Sequence, residues 1–173
     1  TFMNQALAQA QTLATHTLTS TVSLISAFFA VLVLAAAFFL FARYVGRGQF
    51  VALLISLYTG YALYSIFPFM SSLPSAPAST ALIARLVLFA VLSFVTYLVL
   101  RRIVVSDFLS IGTLGLVALS LLGAGFLLAL AYQVFSAREV YTFTPSVDAL
   151  FAAKTYFFWW IAGPLIGLFA FAR

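Results

Sequence analysis

The chain has 173 residues, 65% of them hydrophobic and 6% charged, with a net charge of +5, one His and no Cys. A soluble domain carries about 25% charged residues. This chain therefore lacks the polar surface to cover a water-soluble globule, and it reads as an all-α polytopic membrane protein, one transmembrane domain over residues 1–173. The missing Cys excludes disulfides and thiolate metal sites, and the eight basic residues mostly flank apolar runs, which points to lipid head groups and insertion topology, not to nucleic acid.

Residues 3–19 are rich in Ala and Gln, good helix formers, and Leu7, Ala10, Ala14 and Leu18 recur at helical spacing. An uncharged amphipathic helix lying at the interface is expected there. His16 has no carboxylate or second His near it in sequence and reads as a polar interfacial residue. Thr1 is not Met, and Met3 is a candidate start; the first apolar run has no basic residue before it, so no cleavable signal peptide is expected.

Five spans are expected, at about residues 22–42, 50–69, 81–100, 108–134 and 155–172, or four if the last is interfacial. The first is joined to the second by the short basic stretch 43–50, with Arg43, Gly46, Arg47 and Gly48. The second span carries Ser56 and Gly60, a small-xxx-small spacing that lets another helix come close, and Tyr58, Tyr61 and Tyr64, which suit an interfacial belt or buried hydrogen bonds. Pro68 closes it, and residues 71–80, with two prolines and four serines, form a loop.

Arg85 sits one turn inside the third span. It either snorkels to the nearer interface or is a buried cation that binds an anion or pairs with Asp148 or Glu139. Arg101 and Arg102 end that span, and Asp107 is placed to cap the next helix or to pair with those arginines. The fourth span holds Gly112, Gly115, Gly123 and Gly125, read as close helix contacts or as an interrupted helix. Residues 136–154 are the longest polar connection: 140–144 can be extended, a helix is expected to start at Pro145, and 149–154 can run straight into the last span. That span opens on Tyr156, Phe157, Phe158, Trp159 and Trp160, suited to an interface. Gly163 and Pro164 imply a kink, and Gly163 with Gly167 a packing face.

Arg43, Arg47, Arg101, Arg102 and Arg173 fall on one side, and Arg85, Arg138 and Lys154 on the other. The positive-inside rule then places the N-terminus outside and the C-terminus in the cytoplasm. Three acids and one His, all outside the spans, cannot form a catalytic set, a metal site or a proton relay at membrane depth. No enzyme activity, cofactor or metal is expected.

The basic turn and second span, through Arg47, Gly48, Leu54, Leu57 and Gly60, resemble the first hairpin of the colicin V production protein family, small bacterial inner-membrane proteins. The resemblance covers about a third of the chain and implies about four spans and a non-enzymatic role linked to secretion or envelope homeostasis; the fifth span and N-terminal segment depart from that outline. Three functions follow: a non-catalytic scaffold or assembly factor working through helix packing, a small subunit of a larger membrane complex, or an oligomeric channel or transporter. The expected partners are the bilayer and other subunits or a second copy. The packing candidates are Ser56, Gly60, Gly112, Gly115, Gly123, Gly163 and Gly167. Arg43, Arg47, Arg101 and Arg102 are candidates for topology and head-group contact, and Arg85 for a buried charge.

Overall fold

Long apolar runs broken by Gly, Pro and basic residues leave the backbone one economical choice in a dry surrounding, which is to satisfy its own hydrogen bonds in helices. The structure, a computed structural model, describes residues 9, 22, 25, 26, 28–103 and 111–171, and these are helical with short connections and no strand among them. The expected interfacial helix lies outside the described residues except for Gln9, which is helical and exposed; His16, Asp107 and Arg173 also lie outside them.

Helix α1, Phe29–Tyr44, is apolar up to Arg43. It ends at Val45, and Gly46 follows with φ of 118°. That conformation suits glycine and strains any side chain, so Gly46 is what permits the chain to reverse within two residues. Helix α2, Arg47–Ser65, then starts inside the basic stretch, three residues earlier than expected, and stops short of Phe67 because a residue before proline disfavours helix. A 3₁₀ turn at Met70–Ser72 leads to α3, Ala78–Ile103, whose last turn holds Arg101 and Arg102, the favourable end of the helix dipole for cations. Helix α4, Thr113–Gln133, runs unbroken through Gly115, Gly123 and Gly125, which removes the interrupted-helix reading for this segment.

A 3₁₀ turn at Ala137–Glu139 precedes α5, Pro145–Phe151, with Pro at its first position. Residues 141–144 run to it without pairing. Helix α6, Lys154–Phe171, passes through Pro164. It does not continue α5 straight: the two axes bend by 75° at the break. The main-chain carbonyls of Phe151 and Ala152, which a continuous helix would use, accept instead from the Gln133 side-chain amide at 3.0 and 2.9 Å.

Helices α3 and α4 are each long and apolar enough to cross a membrane, and the bent pair α5–α6 makes a third candidate if it counts as one span. Five were expected. Among the described residues, helix α1 has 16 residues, about 24 Å at 1.5 Å per residue against a hydrocarbon core of about 30 Å, and only part of the stretch before it is described. Helix α2 gives its first turn to Arg47, Gly48 and Gln49.

Helix α4 is the centre of the molecule. It packs on α1 and α6, and α2 packs on α3 and, less closely, on α1. Of the apolar stretch of α4, 61% is buried, against 17% for α3. The main core lies where α2 faces α4, around Phe50, Leu54, Leu119, Phe126 and Leu130; a second cluster around Val31, Ala124, Leu128, Val147 and Phe151 joins α1, α4 and α5. Neighbouring helices alternate in direction, so the α1–α2 turn, the end of α3 and the start of α4 share one end of the bundle.

Candidate functional site

The closest helix contact in the described chain is the seam between α2 and α3. A Cβ placed on Gly60 would stand 2.0 Å from the Ser93 hydroxyl oxygen and 2.9 Å from the Ser93 Cα. The second distance involves backbone, so a side chain at position 60 forces the two helices apart. Ser56, one turn before Gly60, is fully buried and donates its hydroxyl to the Leu53 carbonyl at 2.6 Å. Its own carbonyl lies 3.2 Å from the Thr96 hydroxyl, which also reaches Leu92 and Ser93 carbonyls on its own helix at 3.0 and 2.9 Å. The Ser93 hydroxyl is buried without a hydrogen-bond partner. It fills the space that glycine leaves, and its contribution is shape.

Helix α4 presents small residues on more than one face. A Cβ on Gly115 would meet the Phe171 side chain at 3.0–3.1 Å, one on Gly167 would meet Leu119 and Leu122 at 3.0 Å, and one on Gly163 would meet Leu122 at 3.2 Å. These three positions line the α4–α6 contact. Gly123 faces the other way, with Leu54 at 2.9 Å and Phe38 at 3.1 Å from its Cβ position. Gly112 differs from the rest. It is the exposed residue before α4, and a Cβ there meets nothing within 4 Å among the described residues.

Gly125, Ser93 and Thr96 also belong to the packing faces; of these, Ser93 and Thr96 are not among the contact positions expected from the sequence. A Cβ on Gly125 would stand 2.2 Å from the Trp160 ring. Small residues alternating over two positions, as in Gly123 and Gly125, place one on each of two helix faces, and that spacing was the available signal. Ser93 and Thr96, three apart in an apolar run, form the same kind of signal on α3.

Aromatic side chains fix how the elements stand. The Tyr58 ring stacks on Phe126 with centroids 4.5 Å apart, and its hydroxyl donates to the Ile161 carbonyl. Of the two roles open to this tyrosine, it takes the buried hydrogen bond. Tyr64 is buried edge-on to Phe135. At the bend, Trp160 stacks on Phe151 and donates its indole N–H to the Leu150 carbonyl at 3.2 Å.

Charge is divided between the two ends of the bundle. Arg43, Arg47, Arg101 and Arg102 are exposed at one end. At the other, Asp148 accepts from the Tyr132 hydroxyl at 2.9 Å and pairs with Arg138 at 3.7 Å. Arg85 is half-buried within electrostatic reach of Tyr64, and among the described residues it has no acidic partner, so pairing with Asp148 or Glu139 is not what the fold provides. Arg138, exposed at the surface, takes that carboxylate.

Comparison with known protein families, with characterised proteins and with solved structures finds no match for this chain.

Proposed function

We propose that the protein is a non-catalytic integral membrane scaffold or assembly protein that acts through helix packing, of the secretion-linked kind that its resemblance to the colicin V production protein family implies. The observation that carries this reading is the outward face of α3. Ile83, Val87, Val91, Phe94, Val95 and Val99 are all more than half exposed on one 26-residue helix that is held to the bundle mainly through α2. An apolar surface of that extent needs lipid or another protein against it.

Within this proposal the chain crosses the bacterial inner membrane five times, N-terminus outside. The uncharged apolar sequence of residues 22–42 is long enough for a span, and its described residues Val22, Ile25 and Ser26 are helical. The four exposed arginines at one end, without an acid among the described residues there, favour placing that end in the cytoplasm.

A second reading, a small subunit of a larger membrane complex, draws on the same surface and on Tyr156, Phe158 and Trp159, exposed at the start of α6. A channel is less favoured. It needs a polar row converging on Arg85, whereas the buried polar side chains among the described helices are Ser56, Ser93 and Ser120, and Ser56 and Ser120 turn their hydroxyls to their own helix. Purification of the tagged full chain from native membranes, with identification of co-migrating proteins, separates the readings. Stoichiometric partners support an assembly or subunit role; a chain recovered alone that conducts ions in vesicles would refute both.

A further inference from the structure

The basic end of the bundle holds a cavity of about 350 Å³ lined by Phe39, Ala42, Arg43, Gly46, Arg47, Thr113 and Leu116. Its size falls within the range of small-ligand sites, about 300–1,000 Å³. Two of its lining residues are arginines, and neither has an ion-pair partner among the described residues. Phe39, Ala42 and Leu116 form the apolar side of the same space.

We propose that this cavity binds a phosphate group, and that Arg43 and Arg47 hold it as a pair. The planar guanidinium suits phosphate because its fork of N–H donors matches two phosphate oxygens at once. Arg43 comes from the last turn of α1 and Arg47 from the first residue of α2, and the reversal at Gly46 sets both beside one space. The site adds a second source of positive potential. Residues 46 and 47 open α2 and Thr113 opens α4, and neither helix has a side-chain cap on its first amides. The first amides of a helix carry partial positive charge, and Gly46, Arg47 and Thr113 at these two helix starts line the cavity. The ligand is an anion with an apolar neighbour, the chemistry of an anionic phospholipid head group at the membrane surface, and inorganic phosphate shares the charged half of it.

The inference rests on the membrane reading for the lipid as source, and the experiment separates the two. The full chain in neutral detergent is titrated with short-chain phosphatidylglycerol, with phosphatidylcholine and with inorganic phosphate, and bound ligand is counted by native mass spectrometry. Three variants are compared with the parent. R43Q/R47Q removes the paired charges. R101Q/R102Q removes the same charge from the same end but outside the cavity. Thr113→Trp fills the cavity and keeps both arginines.

Phosphatidylglycerol binding that falls roughly tenfold in R43Q/R47Q and in Thr113→Trp, and survives in R101Q/R102Q, supports the site with a lipid as its source. Retention of inorganic phosphate with the same variant pattern supports the site with free phosphate as its source. Equal loss in the two arginine pairs, or binding unchanged in Thr113→Trp, overturns it, because diffuse surface charge then accounts for the binding. If R43Q/R47Q loses helicity, the Thr113→Trp result decides alone. A chain that partitions without detergent counts against membrane residence and leaves the phosphate arm readable.

Discussion

The phenol of Tyr58 on α2 donates to the main-chain carbonyl of Ile161 on α6, although 103 residues separate them. Ile161 lies three residues before Pro164, in the turn that the proline ring crowds; the carbonyl left without a helix donor by the proline is its neighbour, that of Trp160. A side chain from another helix supplies a donor to that turn, and its ring covers Phe126 of the central helix on the way. One residue thus ties α2, α4 and α6 together.

Removing only the hydroxyl should therefore have a modest, measurable effect. Tyr58→Phe keeps the ring stack and loses one hydrogen bond, a change of about 1 kcal/mol. Tyr58→Ala also opens a cavity beside Phe126 and should cost about 3–5 kcal/mol. Thermal unfolding in detergent gives the comparison. Equal losses for the two substitutions would show that the ring contributes nothing of its own.

The Gly60–Ser93 contact predicts a sharper contrast. Gly60→Ala pushes against the Ser93 Cα at 2.9 Å and should destabilise by about 1–3 kcal/mol, as overpacked cores do. Adding Ser93→Ala should recover part of this, since it removes the oxygen at 2.0 Å and leaves the backbone in place. Gly112→Ala, which meets nothing within 4 Å among the described residues and has an ordinary φ of −64°, should be neutral. Gly60→Ala and Gly112→Ala behaving alike in an unfolding titration would contradict the seam.

Gln133 should hold the bend between α5 and α6. Its amide serves two carbonyls, so Gln133→Leu, close in size, leaves both without that donor, at a cost of about 1–3 kcal/mol. The effect should be local. Hydrogen exchange is expected to rise at 151–156 and to stay unchanged along α4. A uniform rise over the whole chain would mean that the bend is not held independently.

These contacts show what the sequence makes legible and where it stops. The helices follow from apolar runs without charge, and Ser56 with Gly60 marks a packing face on α2 by spacing alone. The partner of that face cannot be read in the same way. Ser93 is one small polar residue in an apolar stretch, and nothing local says which helix it meets. The partner of Gly125 was hidden for the same reason, because it is the Trp160 ring, a residue whose type suggests an interface. The bend at Ala152 was hidden because the residues from Ala149 to Lys154 suit a helix locally, and the side chain that draws off their carbonyls, Gln133, lies some 20 positions earlier. Gly112, a glycine in the same glycine-rich run, meets no other element among the described residues.

The proposed orientation is open to direct labelling. The chain has no Cys, so single cysteines at Ser75 and Arg47 report without background. A membrane-impermeant thiol reagent applied to intact cells should reach position 75 and spare position 47 until the membrane is opened. The opposite pattern would invert the topology, and labelling of both in intact cells would remove it.

The central claim, that the protein works through its outward helix surface, is tested most directly at Phe94. This residue is 59% exposed on α3, on the face turned away from Ser93 and Gly60. A photocrosslinking amino acid placed there and activated in native membranes should give a discrete protein adduct, with a second copy of the chain or with another membrane protein, while the same probe at the fully buried Phe126 gives none. Adducts at position 94 that contain lipid alone would contradict the account.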